Sequence, residues 1–159
     1  KNVVMLGAGG AARAVSFMLV NGGANLTILN RTRGRAEELA KGIKSSLKKN
    51  ANALEMSNEN LKTAISKADI LVNTTSAGMS PAVNETPVPS ALLHRGLVVY
   101  DIIYNPAETR LIREAKEKGA EALNGAEMLC WQGVLAFEKW TGYKAPFDLM
   151  RRELEKALR

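Results

Sequence analysis

A chain of 159 residues, 46% of them hydrophobic and 24% charged, has the length and composition of one globular domain with a sizeable core. Its apolar runs are shorter than the about 20 residues of a membrane-spanning helix, so we expect no membrane association. The net charge of +6 comes mainly from basic residues on helices that also carry glutamates, which favours a solvated surface over a nucleic-acid site. The single cysteine, Cys130, excludes an internal disulfide, is expected to be buried, and fits a reducing compartment such as the cytoplasm.

The first part of the chain alternates short apolar runs with helical patterns. The apolar runs are bounded by glycine or asparagine and are short enough to be buried parallel strands. We expect Asn58 to be the N-cap of the third helix. The predicted strands are residues 1–7, 24–30 and 53–56, and the predicted helices are residues 11–23, 35–49 and 58–68.

The alternation continues to the end of the chain after a long irregular segment, residues 74–89, which contains three prolines. A loop of this length after a strand is usually functional or mobile. We predict an α/β fold over residues 1–159: a Rossmann-type, doubly wound, mainly parallel sheet with helices on both faces. The remaining predicted strands are residues 69–75, 96–104 and 121–124, and the helices are residues 108–119, 126–142 and 146–159, with a helical turn at 90–94.

A glycine-rich loop, GAGGAA at residues 7–12, lies between the first strand and the first helix. It matches the dinucleotide fingerprint G-x-G-x-x-A. Gly7 permits the tight turn, Gly9 lets the backbone approach a pyrophosphate, and Ala12 lets the helix pack closely on the strand. The free N–H groups of the helix N-terminus then face the phosphates. The residues predicted to bind the cofactor here are Gly7, Ala8, Gly9, Gly10 and Ala11.

The residues after the second strand predict which dinucleotide binds. An NAD enzyme usually has an acid at the end of this strand to accept from the ribose 2′-OH. Here the position is Asn30, followed by Arg31, Thr32, Arg33 and Arg35. Arginines bind a 2′-phosphate with charge-assisted bonds that an acid would oppose. We therefore predict NADP, with Asn30, Arg31, Thr32 and Arg35 in the site and Arg33 solvated; Thr32 either contributes its hydroxyl or caps the following helix.

Five motifs occur in an order that is typical of one family: GAGGAARA, NRTRGR, NTTSAGM, DIIYNPAET and NGAEMLCWQG. With these motifs, the chain resembles the NADP-binding domain of the shikimate dehydrogenase family over essentially all of its length. The resemblance implies an oxidoreductase that uses NADPH for the reversible reduction of 3-dehydroshikimate to shikimate in aromatic amino acid biosynthesis.

The resemblance also implies further site residues. Thr75 and Ser76 would lie near the nicotinamide ribose, Ile102 would pack on the nicotinamide, and Gly125 and Met128 would border it. An apolar wall of this kind would favour hydride transfer. On the substrate side, Tyr104 would bind the substrate carboxylate and Gln132 a substrate hydroxyl.

The catalytic pair of the family, a Lys and an Asp, belongs to a separate N-terminal substrate domain that these residues do not match. We therefore expect no catalytic residue and no metal ligand in this chain, which alone should bind NADP but turn over shikimate negligibly. We interpret His94 as a capping or surface residue and Asp101 as a structural residue that bonds backbone N–H groups. Glu127 replaces a glycine that is frequent in the family, and we expect its side chain to point outward.

The last two helices carry apolar faces that would pack against a partner surface. Their exposure would favour self-association, so a homodimer is one expectation. These faces comprise residues 128–140 together with Phe147, Leu149, Met150, Leu154 and Leu158.

Other functions fit part of the sequence. A quinate/shikimate dehydrogenase and glutamyl-tRNA reductase share related glycine loops and NRT segments, but DIIYNPAET and GAEMLCWQ favour the shikimate group. A non-catalytic NADP-binding module is the alternative from another class. An open reading frame upstream that encoded the substrate domain would decide for the enzyme.

Overall fold

Six short strands alternate with helices in the computed structural model, which describes residues 1–158. This confirms the predicted α/β class and the order of its elements. The strands are β1 (Asn2–Leu6), β2 (Asn25–Asn30), β3 (Asn52–Glu55), β4 (Ile70–Asn73), β5 (Val98–Asp101) and β6 (Glu121–Leu123). The helices are α1 (Gly10–Asn21), α2 (Arg33–Leu47), α3 (Asn58–Ile65), α4 (Arg110–Glu117), α5 (Ala126–Thr141) and α6 (Phe147–Ala157), with a 3₁₀ turn at Ser90–Leu92.

The six strands form one parallel sheet in the order β3-β2-β1-β4-β5-β6. The chain moves outward from β1 to β3, returns to the centre at β4 and continues to the other edge. Neighbouring strands β1 and β4 are therefore followed by connections that diverge to opposite sides of the sheet. A crevice opens at such a point beyond the carboxyl ends of the strands, which is where open α/β sheets bind ligands.

Helices cover both faces of the sheet, which gives two apolar cores. Alternate residues of β1 show the division: Val4 and Leu6 belong to the core under α3 and α4, whereas Val3 and Met5 belong to the core under α1 and α2. Strands buried on both faces read as continuous apolar runs, and this is why they were visible in the sequence.

Two local predictions differ from the structure by one residue. Ser57, not Asn58, caps α3: its backbone is extended and its hydroxyl accepts from the N–H of Asn60 at 3.2 Å, whereas Asn58 is already helical. The third strand is Asn52–Glu55, one residue earlier at each end than predicted; its register with β2 ends at Glu55, and the N–H of Met56 still donates to the carbonyl oxygen of Asn30 at 3.1 Å.

Helices α5 and α6 pack mainly on each other. The rings of Trp131 and Phe147 stack with centroids 4.5 Å apart. On α6, only Leu149 among the named apolar residues is exposed, whereas α5 presents Leu135, 63% exposed, and Trp140, 82% exposed. The expected apolar exposure is thus found mostly on α5. Cys130 is buried, as expected, and no helix within residues 1–158 is long and apolar enough to span a bilayer.

Candidate nucleotide-binding site

A cleft of about 370 Å³ lies at the carboxyl ends of β1, β2 and β4, where the strand order reverses. It brings together predicted residues from three separate motifs. The remaining lining comes from residues that the sequence analysis did not select. The predicted residues in the lining are Gly7, Ala8, Gly9, Asn30, Arg31, Thr75 and Ser76, and the others are Met56, Thr74, Ala77, Glu85 and Pro87.

Gly7 makes the turn after β1 possible. Its φ of 102° is in the left-handed region, and a Cβ at this position would lie 2.6 Å from Thr74 Oγ1. Thr74 is held there by β1, because its N–H and its hydroxyl both donate to the carbonyl oxygen of Leu6. The loops after β1 and β4 therefore pack directly on each other, and together they form the floor of the cleft.

At Gly9 and Gly10, no comparable contact with the described residues requires glycine. A Cβ on either residue would meet no atom within 4 Å among the residues that the structure describes. Gly9 is the N-cap of α1, with an extended backbone that other residues also adopt. These two glycines keep open space at a helix N-terminus, as the approach of a pyrophosphate requires.

The end of β2 presents a neutral side chain and a free cation. The amide of Asn30 donates to the carbonyl oxygen of Thr32 at 2.9 Å, which leaves its own oxygen available. Arg31 is exposed beside it in the cleft and has no ion-pair partner within residues 1–158. Thr32 is the N-cap of α2 without a side-chain cap bond. Arg33 instead pairs with Glu37 at 2.8 Å, in agreement with its predicted place outside the site.

Arg35 lies in an adjoining cleft of about 320 Å³ that shares Ala8 and Gly9 with the first. Gly10 lines the same cleft. The structure thus places Arg31 and Arg35 in two adjoining clefts rather than in one. The remaining lining residues are Arg13, Glu38 and Leu39.

Arg13 was missed by the sequence analysis, although it belongs to the quoted GAGGAARA motif. Its guanidinium lies 5.7 Å from the centroid of the Phe17 ring, which supports the side chain at the edge of the cleft. The spacing of Arg13 and Phe17 could have identified it, because residues four apart lie on the same face of a helix.

The residues expected around the nicotinamide and the substrate lie around β5 and the start of α5. Ile102 and Met128 are half-buried, and neither belongs to the buried core. Tyr104 is 41% exposed, and Gln132 is exposed. Gly125 is buried, and a Cβ there would overlap the carbonyl oxygen of Ile102. This glycine therefore has a packing role at the β6–α5 junction.

The other polar residues singled out in the sequence have clear partners. Asp101 is fully buried; burial raises the pKa of its carboxyl, while bonds from Thr109, Ile103 and Asn73 act against that rise. His94 Nε2 lies 3.1 Å from the carbonyl oxygen of Ile65, at the C-terminus of α3, which is a capping contact.

Glu127 is exposed, as expected. Its charge contributes, after burial, to the raised pKa of the Tyr100 phenol.

A second hollow, of about 410 Å³, lies at the opposite edge of the sheet. Asn2, Asn25 and Asn52 line it, and these residues begin β1, β2 and β3. It is remote from the glycine loop, and ligands of open parallel sheets bind at the other edge. We therefore place the functional site at the smaller cleft.

Two family models match the chain: "Shikimate / quinate 5-dehydrogenase" over residues 1–112 and "Shikimate 5'-dehydrogenase C-terminal domain" over residues 125–155. Shikimate dehydrogenase (NADP(+)) of Methanosarcina acetivorans is 49% identical over 157 residues, which are 98% of this chain and 55% of the relative. The chain thus spans about half the length of the relatives it matches.

Solved structures of shikimate dehydrogenases are also similar to this chain. A crystal structure of shikimate dehydrogenase in complex with NADP+ matches with a TM-score of 0.91 and 39% identity, covering 100% of this chain and 55% of that one. Shikimate 5-dehydrogenase from Listeria monocytogenes, in complex with shikimate and NAD, matches with a TM-score of 0.88 and 35% identity, covering 97% and 55%. Sequence, sheet order and site geometry lead to the same conclusion: this chain belongs to the shikimate dehydrogenase family.

Proposed function

We propose that residues 1–159 are the NADP-binding Rossmann domain of an NADPH-dependent oxidoreductase that interconverts 3-dehydroshikimate and shikimate. The observation that carries the proposal is the pairing of an open glycine loop with Arg31 and a neutral Asn30 at the end of β2. Family membership alone does not choose the nucleotide, because the two structural relatives above hold NADP+ and NAD. The choice rests on the charge at this position.

The residues present fit a dinucleotide with an extra phosphate. The backbone of Gly9 and Gly10 would face the pyrophosphate, since no protein atom fills the space beside them within residues 1–158. Arg31 and Arg35, from two clefts that adjoin at Ala8 and Gly9, would both bind the 2′-phosphate. Bound NADPH supplies the hydride. The full proposed set is Gly7, Ala8, Gly9, Gly10, Ala11, Asn30, Arg31, Thr32, Arg35, Thr75, Ser76, Ile102, Gly125 and Met128.

Tyr104 and Gln132 would bind the substrate. Both are exposed, so in this chain they form one side of a site that is open to solvent. Orienting a small hydroxy acid for hydride transfer requires contacts from more than one direction. We propose that a further domain closes over this side and supplies the Lys and Asp for proton transfer. The isolated chain should then bind NADPH and reduce 3-dehydroshikimate negligibly.

A quinate/shikimate dehydrogenase is the second candidate, because the matching family model covers both activities. The difference between the substrates falls on groups outside this chain. We also propose a cytoplasmic location, which the single, buried and unpaired Cys130 supports. The exposed apolar residues of α5 support a homodimer as part of the proposal.

Reversing the charge of Arg31 tests the nucleotide assignment. In Arg31→Glu we expect the Kd for NADPH to rise by about 30-fold or more, since a charge-assisted bond becomes a repulsion. The Kd for NADH should change less than about threefold, because NADH lacks the 2′-phosphate. Fluorescence titration with both nucleotides measures the ratio of the Kd for NADPH to the Kd for NADH.

The matched control is Arg33→Glu, which makes the same charge change two residues away on a side chain that pairs with Glu37. It should leave the ratio of the two Kd values near that of the unmodified chain. Equal weakening of both nucleotides by Arg31→Glu would contradict the assignment.

A further inference from the structure

Buried polar side chains connect the loops that follow β4 and β5. Asn73 and Asp101 are the last residues of these strands, lie opposite each other in the parallel register, and are both fully buried. The amide nitrogen of Asn73 donates to Asp101 Oδ1 at 3.0 Å. Within residues 1–158 Asp101 has no ion-pair partner, so hydrogen bonds alone compensate its burial.

The direction of these hydrogen bonds is fixed by the backbone. The N–H and the hydroxyl of Thr75 both approach Asn73 Oδ1, at 3.0 and 2.7 Å. A backbone N–H can only donate, so the carbonyl oxygen of Asn73 must face Thr75 and its NH₂ group must face β5. That arrangement needs an acceptor on β5, and the carboxylate of Asp101 provides it.

Asp101 holds two further segments. Its Oδ1 accepts from the N–H of Ile103 at 3.2 Å, which fixes the turn that carries Ile102 and Tyr104. Its Oδ2 accepts from the hydroxyl of Thr109 at 2.7 Å, and Thr109 in turn caps α4. One carboxylate therefore sets the relative positions of the Thr75 loop, the Ile102 turn and the start of α4.

We propose that Asp101 is a positioning residue for the nicotinamide half of the nucleotide, acting through Asn73 on Thr75 and through the N–H of Ile103 on Ile102. The inference rests on the proposed function, which places these two loops around the nicotinamide. The residues proposed for the adenosine half follow β2, on the other side of β1, and within residues 1–158 none of the hydrogen bonds of this network reaches them. A positioning role thus affects one half of the ligand, whereas a loss of folding would affect both.

Binding of two ligands to a set of variants tests the proposal: NADPH, which spans the whole site, and 2′,5′-ADP, which occupies only the adenosine half. Asn73→Asp keeps an acceptor toward Thr75 but places a second carboxylate against Asp101. We expect the Kd for NADPH to rise about tenfold and the Kd for 2′,5′-ADP to stay within about twofold.

Two further variants separate the contacts. In the exchange Asn73→Asp with Asp101→Asn, the atom that replaces Asp101 Oδ1 cannot both donate to the new carboxylate at position 73 and accept from the N–H of Ile103, so the Kd for NADPH should stay raised by about tenfold. Asp101→Asn alone can keep an oxygen toward Asn73 and Ile103 but loses the acceptor for the hydroxyl of Thr109, so it should raise the Kd for NADPH by less than Asn73→Asp does.

Hydrogen exchange on the unmodified chain provides a measurement without substitution. The amides of Thr75 and Ile103 should be protected before any nucleotide is added. Free exchange of these amides that is slowed only by NADPH would overturn the proposal. So would equal losses for both ligands in Asn73→Asp, an unchanged Kd for NADPH in that variant, or an exchange variant that binds NADPH as tightly as the unmodified chain does. Failure of the unmodified chain to bind either ligand would instead reject the proposed function.

Discussion

The two sides of the cleft are built in opposite ways. On the side of β1 and β2, the glycine loop leaves open space beside Gly9 and Gly10, and the guanidinium of Arg31 has no ion-pair partner within residues 1–158. On the side of β4 and β5, the loops are held from below by the buried pair Asn73 and Asp101. On the first side, each feature is therefore specified by a short run of neighbouring residues. The second side depends on a pair of residues that are 28 positions apart in the chain.

Two glycines show the same contrast. Gly125 is required by the protein, because any Cβ would overlap the carbonyl oxygen of Ile102. The N–H of Gly125 donates to the carbonyl oxygen of the next residue, Ile103, at 3.0 Å, which holds the β6–α5 junction against this segment. Gly9 is not required by any described neighbour. Gly125 thus serves packing, whereas Gly9 leaves open space at the N-terminus of α1.

Gly125→Ala should have the largest effect. The added methyl meets the backbone of Ile102 and cannot be relieved by a side-chain rotation, so we expect a loss of about 3 kcal/mol or more in the free energy of unfolding. Urea denaturation followed by circular dichroism measures it. Gly34→Ala is the control, since Gly34 is helical with open space around its Cβ position and should gain about 0.5–1 kcal/mol. Similar stabilities for the two variants would refute the packing role of Gly125.

Gly9→Ala should weaken nucleotide binding strongly and change stability little, unlike Gly125→Ala. The free energy of unfolding should change by less than about 0.5 kcal/mol, because the weaker N-cap is offset by the lower entropy of the unfolded chain. The Kd for NADPH should rise about 100-fold, because the methyl occupies the space of the pyrophosphate. Calorimetric titration and a melting curve on the same sample give both numbers. A variant that unfolds easily yet binds normally would show that Gly9 serves the fold alone.

The features that could be predicted from the sequence are those that depend on residues close together in the chain. The apolar runs, the glycine loop and the cationic segment after β2 are local patterns, and the structure places them as expected. The sequence did not predict that Arg31 and Arg35 line two different clefts, because this depends on how the glycine loop and the segment after β2 pack against each other. Glu85 and Pro87 were missed for a similar reason: they reach the cleft only because the loop at residues 74–89 folds back on itself.

That loop is also better anchored than its composition indicated. The N–H of Ser80 donates to the carbonyl oxygen of Asn105, and Arg110 Nη1 donates to the carbonyl oxygen of Asn84. Val88, near its end, is fully buried in the core. These contacts join segments that are more than 20 residues apart, and no pattern within the loop predicts them.

The smallest expected effect concerns pH, and two carboxyls near the start of α4 should respond with opposite signs. Burial raises the pKa of Asp101 in the folded chain above its ordinary value of 3.8. Its protonated form is thus favoured by folding, so its contribution to stability grows as pH falls through the folded pKa and is complete below 3.8. The exposed Glu108, which accepts from Lys116 at 2.7 Å, has a pKa lowered from 4.5, and its contribution is lost as pH falls through the lowered value.

Comparing each residue with its amide variant isolates these contributions. As pH is lowered from 7 toward about 3.5, the unmodified chain should gain stability relative to Asp101→Asn and lose stability relative to Glu108→Gln. Urea denaturation at each pH gives both differences from the same reference protein. A parallel trend for the two variants would mean that hydrogen bonds from Thr109, Ile103 and Asn73, rather than burial, dominate the pKa of Asp101, and that the buried side of the cleft is held by a carboxylate stabilised in its charged form.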